Sequence, residues 1–282
     1  MAGQLYLCAT PIGNLKDITQ RVIETLSEVD LIAAEDTRNS RKLLNYFEIK
    51  TPMTSYHEFN KYEKAVELVE QLSSGKNIAL ITDAGTPAIS DPGEVLVQEC
   101  QKAGITVTSL PGAVACITAL TLSGLSTRRF CFEGFLPSDK KERKGILEEL
   151  AEESRTIILY EAPHHLKSTL QELEQILGDR KITLCRELTK KFETIFPTTL
   201  QNAITYYKEN DPRGEYVLVL EGKSRRKKEE EKKAELLDLS VEDHMQLYEK
   251  KGVDRKEAMK MVAKDRGVSK REIYNYLLAF KE

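Results

Sequence analysis

Residues 76–93, KNIALITDAGTPAISDPG, pass from buried strand to irregular loop to helix within eighteen positions, and this transition constrains the fold more than any other stretch. Ile78 to Thr82 is a short, nearly continuous apolar run, the pattern of a strand covered on both faces. Asp83, Gly85, Pro87, Asp91, Pro92 and Gly93 then crowd into eleven residues. That is more turn chemistry than one strand-to-helix connection requires, since such connections typically run to about 4 to 6 residues. Glu94 to Cys100 resumes as a helix. A long loop at the carboxyl end of a central parallel strand is where open α/β sheets bind ligands. Glycines there admit close backbone approach, and prolines stiffen the loop.

The same arrangement recurs. Gln4 to Ala9 reads as a strand ending in Thr10-Pro11-Ile12-Gly13-Asn14, Leu31 to Ala34 ends in Glu35-Asp36-Thr37-Arg38, and Ile105 to Leu110 runs into Pro111-Gly112-Ala113. Between them lie helical patterns. Val22, Ile23, Leu26 and Val29 share one face behind a cap at Asp17 or Thr19, a second helix carries Arg38, Arg41 and Lys42, and Lys61 to Leu72 is amphipathic. Thr54 to Asn60 reads as irregular, and AVACITALTLSG as a small-residue helix. Strands alternating with helices predict a mostly parallel sheet, so residues 1–125 form one α/β domain with its turn-rich strand ends on one edge.

Residues 126–137 read as a crossover into a second, mixed α/β domain over 126–222. Its expected elements are a helix over Asp139–Glu153, a strand over Thr156–Glu161, a helix ending at Leu177, strands over Ile182–Leu188 and Phe192–Phe196 pairing antiparallel, a helix over Leu200–Lys208 and a strand over Tyr216–Leu220. Residues 223–239 are a charged linker, expected to be flexible or a frayed helix. Residues 240–282 show three capping-box pairs, Ser240/Asp243, Asp254/Glu257 and Ser269/Glu272, with Gly252 and Gly267 where the first two helices would end. This predicts a three-helix module. Its last two helices suit a helix-turn-helix with Lys270 and Arg271 at the front, or else a packing or dimerisation unit.

The expected architecture is therefore α/β: two α/β domains with a cleft between them, plus a small C-terminal helical module. No apolar stretch is long enough to span a membrane, and the N-terminus enters its first apolar run without a basic region or cleavage site, which predicts a cytoplasmic protein. Cys8, Cys100, Cys116, Cys131 and Cys185 are scattered and mostly set in apolar runs, as buried free thiols are. His57, His164, His165 and His244 lack metal-ligand spacing, so no metal is expected. The net charge is −3, but residues 223–282 hold 17 Lys/Arg against 13 Asp/Glu, which leaves −7 on residues 1–222. A nucleic-acid partner would be met by the tail and by local patches, Arg38, Arg41 and Lys42 being one. Neither a G-x-G-x-x-G after the first strand nor a Walker A sequence is present, which argues against dinucleotide redox chemistry and P-loop hydrolysis.

The runs A-T-P-I-G-N-L, E-D-T-R, L-I-T-D-A-G-T-P-A-I-S-D-P-G and L-P-G-A, with F-E-G-F-L-P at the crossover, resemble the tetrapyrrole methylase-like superfamily of adenosylmethionine-dependent methyltransferases. The wider superfamily has a glycine-rich first loop where this chain has Ala9 to Asn14 with Gly13 alone, so small-molecule precedents for that loop transfer poorly. The resemblance implies S-adenosyl-L-methionine in the cleft between the two α/β domains. Candidates to hold it are Pro11, Gly13, Asp83, Ala84, Gly85, Pro87, Ile89, Ser90, Pro111, Gly112, Ala113 and Tyr160, with Gly85 giving close approach to the ligand. Narrowed to its ribosomal RNA-modifying branch, the resemblance implies methylation of a cytidine ribose 2′-hydroxyl in the decoding region of 16S ribosomal RNA within the small ribosomal subunit, by a homodimer. A ribose hydroxyl is a very weak acid and needs a base or a polarising contact, for which Glu161, Glu35, His57, Asp36 and Glu187 are candidates at strand ends. Arg38, Arg41, Lys42, Lys270 and Arg271 are candidates for RNA contact. Two other readings stay open: a small-molecule, tetrapyrrole-type methyltransferase, and a non-catalytic RNA-binding ribosome-assembly factor.

Overall fold

The computed structural model describes residues 1–224 and 236–279. The chain divides into two compact units, Met1–Gly222 and Lys223–Glu282. The linker expected over 223–239 falls for the most part, at 225–235, outside the described residues.

In the first unit, β1 (Gln4–Cys8), β2 (Leu31–Ala34), β3 (Met53–Ser55), β4 (Ile78–Ile81) and β5 (Thr106–Leu110) form a wholly parallel sheet in the order β3-β2-β4-β1-β5. β4 is central, and the loops leaving β1 and β4 emerge side by side. Helices cover both faces because strand residues alternate. Val22 and Leu26 of α1 (Gln20–Glu28) and Leu44 of α2 (Thr37–Tyr46) pack on Cys8, Ile32, Ala34, Ala79 and Ile81. Leu68 and Leu72 of α3 (Lys61–Ser73) and Leu96 and Cys100 of α4 (Gly93–Lys102) pack on Leu5, Leu7, Ala33, Ile78 and Leu80. Thr19, not Asp17, caps α1, accepting from the Val22 amide at 3.3 Å. Thr54 and Ser55, expected to be irregular, instead belong to β3 and pair with Ala33 and Ala34. A three-residue, largely polar edge strand has too little apolar alternation to show in the sequence.

The second sheet has the order β6-β7-β10-β8-β9, built from β6 (Phe130–Phe135), β7 (Thr156–Glu161), β8 (Lys181–Arg186), β9 (Thr194–Thr199) and β10 (Tyr216–Leu220). Only β6 and β7 run parallel; the other pairings are antiparallel. The strand expected over Ile182–Leu188 stops at Arg186, because Glu187 and Thr189 turn left-handed at φ +52° and +64°. Its partner begins at Thr194 and continues to Thr199, through Pro197, which an edge strand tolerates.

One face of this sheet carries α6 (Lys140–Glu152), α7 (Pro163–Leu177) and α8 (Leu200–Glu209) over Ile157, Leu159, Ile182, Leu184, Leu218 and Leu220. The other face is covered by α5 (Ala115–Leu122), whose Cys116, Ala119 and Leu120 pack on Ile158, Cys185, Val217 and Val219. The small-residue helix that follows the first sheet thus packs closely on the second, and ties the two sheets together.

The second unit contains α9 (Val241–Glu249), α10 (Arg255–Arg266) and α11 (Lys270–Ala279) around Val241, Met245, Ala258, Val262, Ala263 and Ile273. Ser240, Asp254 and Ser269 accept amides of the first turns that follow them, and Gly267 closes α10 at φ +67°. Ser269 and Glu272 form the full reciprocal capping box. Among the described residues no helix is long and apolar enough to cross a membrane.

Candidate active-site cleft

A cleft of about 560 Å³ opens between the strand ends of the two sheets, within the size range of small-ligand sites. The loop after β4 forms one wall, and its shape is fixed by Asp91. That carboxylate accepts the amides of Ala88, Ile89 and Gly93 at 3.0, 3.2 and 2.8 Å, holding Ala88 and Ser90 left-handed at φ +67° and +62°. Burial outweighs these donors and raises the Asp91 pKa above the ordinary carboxylate value. Tyr56, fully buried at the end of β3, donates its hydroxyl to Pro92 O at 2.9 Å and braces the same loop.

Opposite lies the loop after β8. Lys190 bridges Glu187 at 2.9 Å and Glu215 at 2.7 Å, and Glu187 also accepts the Glu215 amide. The loop after β1 docks here: Asn14 N donates to Thr189 Oγ1 at 3.0 Å, and a β-carbon on Gly13 would stand 2.5 Å from Lys190 Cγ. Gly13 is therefore needed for loop-to-loop contact, while its neighbour Ile12 lines the cleft.

Asp83, Ala84, Gly85, Ile89, Ser90, Tyr160, Glu35 and Glu161 all line the cleft. Pro11, Pro87, Pro111, Gly112 and Ala113 are not among its lining residues. Pro87 is buried beneath the loop. Gly112 admits Ala9, whose Cβ would lie 2.5 Å from an added β-carbon, and the Ala113 carbonyl accepts the Thr86 hydroxyl at 3.1 Å. The Tyr160 hydroxyl accepts the Cys116 amide at 3.2 Å, and its ring packs edge-on against Phe132 and Phe135.

Two of the carboxylates differ in kind. Register pairs Tyr160 with Val217 and Glu161 with Tyr216, so pleating turns Tyr160 toward α5 and Glu161 toward α7. Glu161 is 6% exposed; its Oε1 accepts the Ala162 amide at 2.8 Å and its Oε2 the Thr169 hydroxyl at 2.5 Å. Glu161 lines the cleft, but both of its oxygens are engaged at the start of α7. Glu35 uses Oε2 for Thr82 Oγ1 at 2.6 Å and Asp83 N at 3.4 Å, and among the described residues Oε1 accepts nothing. Burial, then the charges of Glu35 and Asp36, raise the pKa of Asp83.

His57 lies outside the cleft lining, with Nδ1 buried and unpartnered. Arg38 is 90% exposed but bound to Asp36 at 3.0 Å, which holds that carboxyl down at about 2. Arg41, Lys42 and Arg271 are exposed, and Lys270 is half-buried at the start of α11. Among the described residues no cluster of His, Cys, Asp and Glu suits a metal ion.

Phe135, Leu188, Lys190 and Glu215 in the lining escaped sequence reasoning, whereas Ile12 and Thr86 lie in strand-end loops it singled out and Glu187 is one of its strand-end carboxylates. Phe135 sits in the F-E-G-F-L-P run and could have been found there. Leu188 was hidden by reading β8 two residues too long.

The model of the family described as Tetrapyrrole (Corrin/Porphyrin) Methylases matches residues 4–204. Solved structures with this fold include a Thermus thermophilus uroporphyrin-III-C-methyltransferase (TM-score 0.56, 16% identical, 78% of this chain and 94% of that one). A diphthine synthase is also similar (TM-score 0.61, 16% identical, 78% and 90%). Proteins named ribosomal RNA small subunit methyltransferase I are similar along nearly the whole chain: one from Synechocystis sp. is 48% identical over 98% of both chains, and one from Bacillus subtilis 49% over 97% of this chain and 93% of its own. A Thermotoga maritima protein of that name is 44% identical over 221 residues, which are 78% of this chain but 99% of its own, so it has the length of the first unit alone. The two-sheet cleft, the family match and these relatives together establish that the chain belongs to the tetrapyrrole (corrin/porphyrin) methylase family.

Proposed function

We propose that this chain transfers the methyl group of S-adenosyl-L-methionine to the ribose 2′-hydroxyl of a cytidine in the decoding region of 16S ribosomal RNA. The RNA class is supported by the names of the near-full-length relatives. The observation that carries the cofactor is the charge of the cleft. Among the described residues Glu35, Asp83, Asp91, Glu161, Glu187 and Glu215 line it against a single cation, Lys190, which Glu187 and Glu215 already neutralise. Ile12, Ile89, Val114, Phe135, Tyr160 and Leu188 supply an apolar remainder. A ligand with a flat aromatic part and cationic sulfonium and ammonium groups fits that donor set; an anionic one does not.

Adenosylmethionine supplies a methyl carbon on a sulfonium that leaves as a neutral thioether, so the leaving group needs no acid. The chain's part is alignment and proton removal. The loop braced by Asp91 and Tyr56 presents the backbone of Asp83 to Ser90 in one fixed shape, and such preorganisation contributes as much as ~7 to 11 kcal/mol in favourable cases. Glu35 Oε1 accepts the 2′-hydroxyl proton, with Thr82 holding the other oxygen.

The reaction runs in the cytoplasm, where ribosomal subunits are made. It is carried by a homodimer that covers Ile117, Leu122 and Phe130, apolar side chains 43, 45 and 37% exposed on α5 and the start of β6. Labelled methyl transfer to small subunits, free 16S RNA and a tetrapyrrole precursor, followed by nuclease digestion, tests the assignment. A labelled 2′-O-methylcytidine is expected. Label on a base, or on the tetrapyrrole alone, would overturn it.

A further inference from the structure

A second cavity, of about 540 Å³, opens on the opposite face of the second sheet, between β8, β9 and the carboxyl end of α8. Its floor is aromatic. The Phe196 and Tyr206 rings lie 5.0 Å apart, Tyr207 stands edge-on to Tyr206 at 5.0 Å, and Tyr206 remains 48% exposed. Arg186 Nε is buried in this wall with no acceptor, although its Nη2 donates to Phe192 O at 3.2 Å. Nε itself is closed to the cavity, and the bond to Phe192 O fixes the Arg186 side chain in its wall.

The charges identify the ligand. Arg186, Arg213, Glu209 and Asp211 line it, Asp211 being paired with Lys167 at 3.0 Å, so the lining offers donors and acceptors together. A lone phosphate would meet two carboxylates. An unpaired nucleobase, by contrast, has a π-face for the aromatic floor and an edge with both acceptors and donors.

The cavity adjoins the cleft through the strand itself. Arg186 points to the α8 face, while its neighbours Cys185 and Glu187 line the cleft, and Arg186 pairs with Tyr216, whose hydroxyl lies 3.4 Å from that of Tyr207. An RNA strand crossing the end of β8 would reach both. We propose that this cavity holds an unpaired base flanking the methylated nucleotide, stacked on Tyr206 and Phe196 with Arg186 and Arg213 along its edge. The inference rests on the RNA reading of the cleft and adds a subsite that sets which nucleotide is presented.

The test uses the full chain and single-stranded oligoribonucleotides of the decoding-region sequence carrying 2-aminopurine at successive positions flanking the target cytidine. One position should be quenched on binding. Tyr206→Ala should abolish that quench and weaken RNA binding roughly 5- to 150-fold, as loss of one stacked base does, while adenosylmethionine affinity and the salt dependence of RNA binding stay unchanged. Tyr206→Phe should restore binding, and Arg186→Lys should weaken it without altering cofactor affinity. RNA affinity within twofold of wild type in Tyr206→Ala overturns the subsite. So does a loss accompanied by a shallower salt slope, which would indicate a phosphate contact, or a change in oligomeric state, which would mean a second copy fills the cavity. Failure of the wild-type chain to bind or methylate any small-subunit RNA would instead remove the RNA reading, and the subsite with it.

Discussion

Thr10 and Gly85 exchange both backbone hydrogen bonds, at 2.8 and 3.1 Å, and so lock the loop after β1 to the loop after β4. Gly85 makes this bridge at φ +88°, and an added β-carbon would lie 3.3 Å from Ile12 Cγ2 and 3.4 Å from Ala113 O. The residue thus serves the loop-to-loop bridge as well as any ligand. Gly85→Val should cost about 1–2 kcal/mol of stability through the left-handed backbone alone and weaken cofactor binding with it. Urea unfolding together with calorimetry checks this. Unchanged stability with lost cofactor affinity would restore the simpler view that Gly85 only makes room for the ligand.

Gly13 faces the other wall. A β-carbon there would meet Lys190 Cγ at 2.5 Å, Thr189 Oγ1 at 2.7 Å and Leu188 O at 2.9 Å, and the last is backbone that cannot swing aside. Gly13→Ala should push the loops after β1 and β8 apart and reduce adenosylmethionine affinity by roughly tenfold, about 1.4 kcal/mol. Titration calorimetry giving wild-type affinity would mean that the cleft does not depend on this contact.

Glu35 and Glu161 should separate in kinetics. With Oε1 free in the cleft, Glu35→Gln should lower the single-turnover methylation rate by about 100-fold or more at saturating RNA and cofactor. Glu161→Gln replaces one acceptor oxygen by an amide donor facing the Ala162 amide or the Thr169 hydroxyl, so it should cost about 1–3 kcal/mol of stability with a smaller effect on rate. The reverse pattern would return the base to Glu161.

The contrast shows what was legible in the sequence. Strand periodicity and turn clusters located most strands, the loop after β4, and the three N-caps and the Gly267 C-cap of the helical module, because these signals are local, while α9 is capped at Lys250, ahead of the expected Gly252. That Glu161 shares a face with Ile157 and Leu159 was also available from their alternation with Ile158 and Tyr160, and only its partners at the start of α7 were missing. The ion-pair cluster of Glu187, Lys190 and Glu215 was not legible. Their meeting depends on left-handed turns at Glu187 and Thr189 and on a β10 partner some thirty residues away. The docking of α5 on the second sheet was equally hidden, since a helix of small apolar residues suits either sheet.

Removing residues 223–282 should leave cofactor binding unchanged, since the cleft is lined wholly by the first unit. The proposed RNA contacts at Lys270 and Arg271 would be lost, so RNA affinity should fall and its salt dependence flatten as fewer counterions are released. Equal affinity and slope in the truncated chain would leave the module a packing or dimerisation role.

The helical module carries its own pH dependence. His244 is fully buried in α9; its Nδ1 accepts from Arg266 Nε at 3.4 Å, and its Nε2 lies 3.3 Å from Asp265 Oδ2, which also receives the Tyr248 hydroxyl at 2.5 Å. Burial first, then the Arg266 charge, lower its pKa below the ordinary 6.5, while Asp265 opposes them. The fold therefore favours the neutral ring. Its contribution to stability is complete above pH 6.5, the unfolded value, and is lost as the pH falls through the lower folded value. Amide hydrogen exchange in the full chain, corrected for the intrinsic rate, should show protection of residues 241–279 falling between about pH 7.5 and pH 5. His244→Phe, with no titrating ring, should flatten that change and leave the first unit as it was. Equal protection at both pH values in the wild-type chain would show that His244 is no acid-sensitive element of the module.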